Sequence, residues 1–227
     1  MTTAARALRD LIATHAPVIA PGAFDGLSAR LVEQAGFPAV YATGGGIARS
    51  LGIPDLGLMG LDEIVKRLEG MVEVTTIPLI ADADTGHGNA LNAQKTARAF
   101  ERAGVAGFHL EDQVFPKKCG HYDDKSIVPS KEMTQKIKAV KDALIDPDML
   151  LIARTDGLAV EGYEPTLERA HAYMEAGADM IFVEAPTSEA QIEQIAQDLP
   201  QPKLINMFNG GKTPLMPADR LGELGYS

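Results

Sequence analysis

The stretch Ala90-Leu-Asn-Ala-Gln-Lys-Thr-Ala-Arg-Ala-Phe-Glu-Arg-Ala-Gly104-Val-Ala-Gly107-Phe-His-Leu-Glu111-Asp112 decides the fold. Its first fourteen residues carry a helical apolar period, with Asn89 placed to cap the start. Gly104 stands where a helix closes through a left-handed residue. The run Gly107–Leu110 then reads as a buried strand ending in two carboxylates, Glu111 and Asp112. Helix, glycine, strand and polar strand end form one β/α unit.

The same punctuation recurs at Gln34-Ala-Gly36-Phe, Glu175-Ala-Gly177-Ala and Glu223-Leu-Gly225-Tyr-Ser227. Strands are expected at Val18–Ala20, Ala39–Ala42, Pro78–Asp82, Gly107–Leu110, Met149–Ala153, Met180–Val183 and Lys203–Asn206. Helix-period segments between them include Gly26–Ala35, Ala90–Ala103, Ser130–Leu144, Thr166–Ala176 and Glu189–Gln197, with Asp25, Asn89, Ser130 and Ser188 as expected caps. Near-continuous apolar strands alternating with helices imply a parallel sheet buried on both faces. The count reaches about seven units. The expected fold is therefore an α/β (β/α)8 barrel, one domain over residues 1–227, stopping before its eighth strand, and not an open doubly wound sheet.

Composition bounds the function. Of 227 residues 45% are apolar, as in an ordinary packed domain. A single cysteine rules out an internal disulfide framework and suits a reducing, cytoplasmic setting. Residues Met1–Ala16 contain Arg6, Arg9 and Asp10, which a signal peptide's apolar core would not, and no membrane span is expected. A net charge of −10 argues against nucleic acid or anionic membrane and for a small-molecule partner.

Barrels of this kind work at the C-terminal ends of their strands. Those ends carry Thr43-Gly44-Gly45-Gly46, Asp82-Ala83-Asp84-Thr85-Gly86-His87-Gly88, Glu111-Asp112, Arg154-Thr155-Asp156, Glu184 and Asn206. Asp82 and Asp84, two apart, are expected to share a face. So many carboxylates need a counter-charge, and oxygen donors without a histidine pair favour Mg²⁺, or Mn²⁺, over zinc. Asp112, Asp124 and Asp156 are expected instead to cap helices or neutralise Arg154 and lysines. Glycines 44 to 46 permit amides to approach an anion, and equally suit a plain turn. His15 and His171 are expected on solvent-facing helix surfaces and His109 packed within its strand, with His87 and His121 as loop candidates.

The lone cysteine lies in Lys117-Lys118-Cys119-Gly120-His121, a setting of cations that favours a reactive thiol. Residues from Pro116 to Pro129 read as a lid.

Together these residues resemble the isocitrate lyase/phosphoenolpyruvate mutase superfamily. The likeness runs through Pro21-Gly-Ala-Phe-Asp25, Tyr41-Ala-Thr-Gly-Gly-Gly46, Pro54-Asp55-Leu-Gly57, Ala81-Asp-Ala-Asp-Thr-Gly86, Leu110-Glu-Asp112, Lys117–His121, Ile152-Ala-Arg-Thr-Asp156, Val183-Glu184, Asn206-Met207 and Gly210-Gly-Lys-Thr-Pro214, nearly the whole chain. The Lys-Lys-Cys-Gly-His run is similar to the lyase branch, and Asn206-Met207 with Gly210–Pro214 looks more like the dimethylmalate lyase type than the isocitrate and methylisocitrate lyases. The resemblance implies a homo-oligomer, a tetramer, with a C-terminal helix exchanged between subunits. It also implies a Mg²⁺ site in which Asp82 touches the metal while Asp55, Asp84 and Glu111 hold its waters. Substrate would meet Tyr41, Thr43, Gly44, Gly45, Gly120 and Asn206. Catalysis would fall to Cys119, Lys117, His121, Arg154 and Glu184, with Cys119 protonating the leaving fragment. The implied reaction splits a 2-hydroxy di- or tricarboxylic acid into a 2-oxo acid such as pyruvate and a carboxylate. Alternatives are an oxaloacetate decarboxylase or a related 2-oxo acid hydrolase or phosphonomutase activity, or a non-catalytic truncated barrel.

Overall fold

The computed structural model describes residues 2–14, 16–200 and 202–227; His15 lies outside them. Seven strands pair in sequence order, every pair parallel. They are β1 (Gly22–Ala23), β2 (Val40–Ala42), β3 (Leu79–Asp82), β4 (Gly107–Glu111), β5 (Leu150–Thr155), β6 (Met180–Val183) and β7 (Lys203–Leu204). Helices return the chain between them: α2 (Gly26–Gln34), α3 (Gly44–Ser50), α4 (Leu61–Val74), α5 (Ala90–Ala103), α6 (Ser130–Ala143), α7 (Gly157–Val160), α8 (Tyr163–Glu175) and α9 (Glu189–Asp198). Among the described residues the named sheet has seven strands of a (β/α)8-type barrel. Beyond helix α10 (Ala218–Glu223), Gly225 turns the chain at φ 78°. Tyr226 then pairs in parallel with Lys203, and the Ser227 amide donates to Lys203 O. The last two residues thus take the register of a strand beside β7, where none was expected.

Local signals account for most boundaries. Asn89 accepts from the Leu91 and Asn92 amides, and Gly104 closes α5 at φ 85°. Asp25 and Ser188 cap their helices as well. Ser130 does not: it is the first residue of α6, and Pro129, with φ fixed at −53°, holds the cap position. The expected strand Val18–Ala20 also fails. Pro17 and Pro21 bracket it, Ile19 stays 48% exposed, and pairing begins only at Gly22.

Two apolar layers result. One fills the space between sheet and helices, with Phe100, Phe108, Leu110, Leu151 and Tyr173 fully buried. The other fills the barrel, where Ile80, Leu150, Ile152, Met180 and Phe182 pack with Leu8. Leu8 comes from α1 (Ala4–Ile12), which plugs the bottom of the barrel; Arg9 fastens it through Asp148 O at 2.7 Å and Asp179 at 2.9 Å. Among the described residues, no helix is long and apolar enough to cross a membrane.

Candidate active site

Alternation along the strands gives the barrel two ends of different chemistry. Ile80, Leu150, Ile152, Met180 and Phe182 point inward lower down. Asp82, His109, Glu111, Arg154 and Glu184 follow near the C-terminal ends, all within 9% side-chain exposure. Charged groups this buried need partners.

Asp82 has several. Its Oδ1 accepts the Asp84 amide at 2.9 Å and lies 2.7 Å from His109 Nε2, while Oδ2 accepts the Gly44 amide at 3.2 Å. Burial works against its charge, but the neighbouring His109, then Lys117, Arg154 and the Asp84 amide, hold its pKa below the ordinary value. The His109 Nδ1 faces the Tyr41 hydroxyl at 3.2 Å. Burial lowers the imidazole to about 4, so His109 is neutral at pH 7 and serves Asp82 as a polar neighbour, not a cation. His109 was expected merely to pack; its side chain instead links β2 and β3. The two-residue spacing to Glu111, the rule applied to Asp82 and Asp84, was the signal for it.

Asp84 reaches the same place by another route than expected. Strand β3 ends at Asp82, and Asp84 stands in the following turn at φ 48°, so pleat alternation does not align the pair. Its Oδ1 lies 2.7 Å from Lys117 Nζ, which also contacts Asp55 Oδ1 at 2.5 Å. Burial and the Asp82 charge push Asp84 up to about 6. Glu111 is fully buried and raised well above its ordinary value by burial, and neither carboxylate oxygen has a hydrogen bond; Arg154 lies 3.3 Å away. Ligand atoms of Asp82, His109 and Glu111 lie within 4.8 Å of one another. Orphaned buried oxygens beside a second carboxylate make a donor set that fits a divalent cation. With its Nε2 turned to Asp82, His109 fits as a partner of that carboxylate, so the oxygens remain the donors.

Across the barrel, Arg154 is gripped by Asp156 at 3.0 and 3.2 Å and lies 3.4 Å from Glu184. Asp156 also takes Lys125, at 2.7 Å. Asp112 accepts from Thr155, Tyr173 and the Asp156 amide, behind the site. Asp124 is exposed at φ 57°, and its carbonyl accepts from Lys118.

The run 113–128 is a closed loop over this mouth. Val114 N donates to Ser126 O and Val128 N to Asp112 O at its neck, both at 2.8 Å. Gly120 lies so close beneath it that a Cβ would strike Arg154 Nη2 and the Glu184 side chain. Cys119 is partly exposed and lines the cavity. The cations flanking it in sequence turn elsewhere, contrary to expectation: Lys117 to the carboxylates and Lys118 to Asp124 O. Arg49 of α3 lines the same cavity as Cys119. His121 Nε2 lies 3.0 Å from Glu184 Oε1, its Nδ1 accepts the Lys212 amide at 2.9 Å, and its ring meets Phe208 edge-on at 4.5 Å.

Glycines 44 to 46 form the first turn of α3, capped by Thr43 Oγ1 through the Gly46 amide. Three glycines in a helix cost roughly 3 kcal/mol against alanine. Close approach explains them: a Cβ at Gly44 would lie 2.6 Å from Asp82 Oδ2, and one at Gly45 2.8 Å from Asp55 Oδ2. A cavity of about 740 Å³ joins Tyr41, Thr43, Gly45, Asp55, Asp82, Lys117, Cys119, Gly120, His121, Arg154, Glu184 and Asn206. His87 is not among them. It lines a separate, smaller cavity with Leu58, Asn92 and Phe115. His171 is solvent-exposed on α8.

Residues 8–227 match the family model described as phosphoenolpyruvate phosphomutase. Over 228 aligned residues the chain is 48% identical to 2,3-dimethylmalate lyase of Eubacterium barkeri, covering 100% of this chain and 78% of that one. It is 47% identical over 206 residues to 2-methylisocitrate lyase of Bacillus subtilis, covering 91% and 68%. The crystal structure of 2,3-dimethylmalate lyase superposes with TM-score 0.96 and 41% identity, over 100% of this chain and 77% of that one. Oxaloacetate acetylhydrolase with 3,3-difluorooxalacetate follows at 0.95 and 36%, over 99% and 78%. Barrel, acidic mouth and sequence agree: this chain belongs to the phosphoenolpyruvate mutase/isocitrate lyase superfamily.

Proposed function

We propose that this chain is a divalent-metal-dependent carbon–carbon lyase, splitting a 2-hydroxy acid with further carboxylates, of the 2-alkylmalate or 2-methylisocitrate type, into a 2-oxo acid and a carboxylate. The observation that carries it is the placement of Cys119 on a loop closed over the buried carboxylates, with Gly120 against Arg154 and Glu184. The relatives named as lyases match along nearly the whole chain, which supports the same reading.

Asp82 and Glu111 would hold Mg²⁺ or Mn²⁺, with Asp84 and Asp55 behind them; the metal supplies Lewis-acid stabilisation of charge at the substrate's 2-oxygen. Arg154 and the Gly45 amide would bind the carboxylate beside that oxygen, the Gly44 amide being held by Asp82. The 2-hydroxyl proton passes to a buried carboxylate. As C2–C3 breaks, its electrons move to C3, and the Cys119 thiol gives that carbon its proton. Lys117 stays paired with Asp55 and Asp84, while His121, Glu184 and Asn206 line the side of the cavity that faces the departing carboxylate.

A second reading is hydrolysis of oxaloacetate on the same site, favoured by the superposition with oxaloacetate acetylhydrolase. One assay separates the two. Purified protein with Mg²⁺ or Mn²⁺ is offered 2,3-dimethylmalate, 2-methylisocitrate and oxaloacetate, and 2-oxo acid and acetate are measured. Release of 2-oxo acid from a hydroxy acid, abolished by EDTA and restored by metal, supports the lyase. Turnover of oxaloacetate alone supports the second reading.

A further inference from the structure

Among the buried charges that this chemistry leaves unused, one belongs to the closing loop. Lys125 lies on the far arm of the closing loop, its side chain only 1% exposed. Its Nζ donates to the Gly120 carbonyl and to Asp156 Oδ1, the latter at 2.7 Å. Asp156 is fully buried and grips Arg154 with both oxygens. It is anchored from behind, since its amide donates to Asp112 at 2.9 Å. Only four residues separate Gly120 from Lys125, so the loop folds back on itself around one ammonium.

We propose that Lys125 is a positioning residue: it latches the loop shut by tying the Gly120 carbonyl to Asp156, and so sets where Cys119 meets substrate and where Arg154 points. The inference rests on the lyase reading for its catalytic consequence, but not for the latch itself. Burial explains the need for the pair. A lysine carried out of water this completely requires an anion and acceptors, and the loop offers it the Gly120 carbonyl, its anion being Asp156 on the barrel. An open loop would return the ammonium to water, so closure and pairing occur together. Gly120 fits there only as glycine, because a Cβ at this position would strike Arg154 and Glu184.

The test reads the thiol directly. Cys119 is the sole cysteine, so iodoacetamide alkylation reports loop opening independently of turnover. Wild type, Lys125→Met, Lys125→Arg and the exposed control Lys138→Met are compared with Mg²⁺, with and without oxalate. Loss of two charge-assisted hydrogen bonds should speed alkylation of Lys125→Met about tenfold or more and weaken oxalate protection. Lys125→Arg should restore much of both, and Lys138→Met should match wild type. In turnover, kcat should fall further than KM rises. Alkylation of Lys125→Met at the wild-type rate overturns the latch, whatever the activity. Faster alkylation in an enzyme with no lyase turnover keeps the latch and removes the lyase reading. If Lys125→Met does not fold, Lys125→Gln is read by the same rates.

Discussion

Lys117 Nζ lies 2.7 Å from Asp84 Oδ1, so a lysine of the closing loop contributes a positive charge to the carboxylate group at the barrel mouth. Asp84 and Glu111 raise the Lys117 pKa despite its burial, so the ammonium stays charged. An ammonium there would oppose a divalent cation held by Asp82 and Glu111. Lys117→Met should therefore bind Mg²⁺ tighter by roughly tenfold or more, a modest share of the Coulomb energy of such charges. Its turnover should nevertheless fall. Calorimetric titration with Mg²⁺ checks the first, and a weaker affinity would show that Lys117 helps to build the metal site.

Cys119→Ser removes an acidic proton and changes little else. Turnover should drop roughly 10²- to 10⁴-fold, the usual worth of a positioned acid. Oxalate binding with Mg²⁺ should change less than threefold by the order of a lost weak contact. Equal turnover in the variant would transfer the proton to another donor.

Gly120→Ala puts a methyl group where Arg154 and Glu184 already stand. Because a displacement of about 1 Å can cost 10² in rate, kcat should fall at least that far while the melting temperature holds. Normal kcat would mean that the loop works from a different position.

His109 gives stability a pH dependence of known sign. Unfolded chain binds its proton near 6.5, and burial delays this in the fold to about 4. The contribution of the neutral ring is thus intact above 6.5 and disappears as pH falls to about 4, a swing of roughly 3 kcal/mol. Asp84 acts oppositely: raised from 3.8 to about 6, its contribution is present below 3.8 and lost as pH rises to about 6. In His109→Gln the histidine share vanishes, so the gap between wild type and variant in urea unfolding should narrow from pH 7 to pH 4.5. A constant gap would show that the ring titrates normally.

Glycine punctuation made the repeating unit legible, since a left-handed close such as Gly104 has few residues that can supply it. The acidic strand ends were legible for a similar reason, because few soluble folds bury Asp82, Glu111 and Glu184 on one side. What escaped was decided by tertiary approach. Three consecutive glycines predict a turn by propensity, yet Asp82 and Asp55 crowd them and the segment is helical. Val18–Ala20 has strand composition but flanking prolines, while Gly22–Ala23 pairs without any β preference. No motif in the sequence marks Lys125. Only the fold-back of the loop reveals the anion it meets.

The Lys212 amide has a consequence for proton traffic. With Nδ1 of His121 committed to a peptide N–H, the imidazole keeps its single exchangeable hydrogen on the Glu184 side. It cannot hand a proton through from one nitrogen to the other. Under the proposed mechanism the Cys119 proton would then be restored by way of Glu184 or from bulk water entering as the loop lifts.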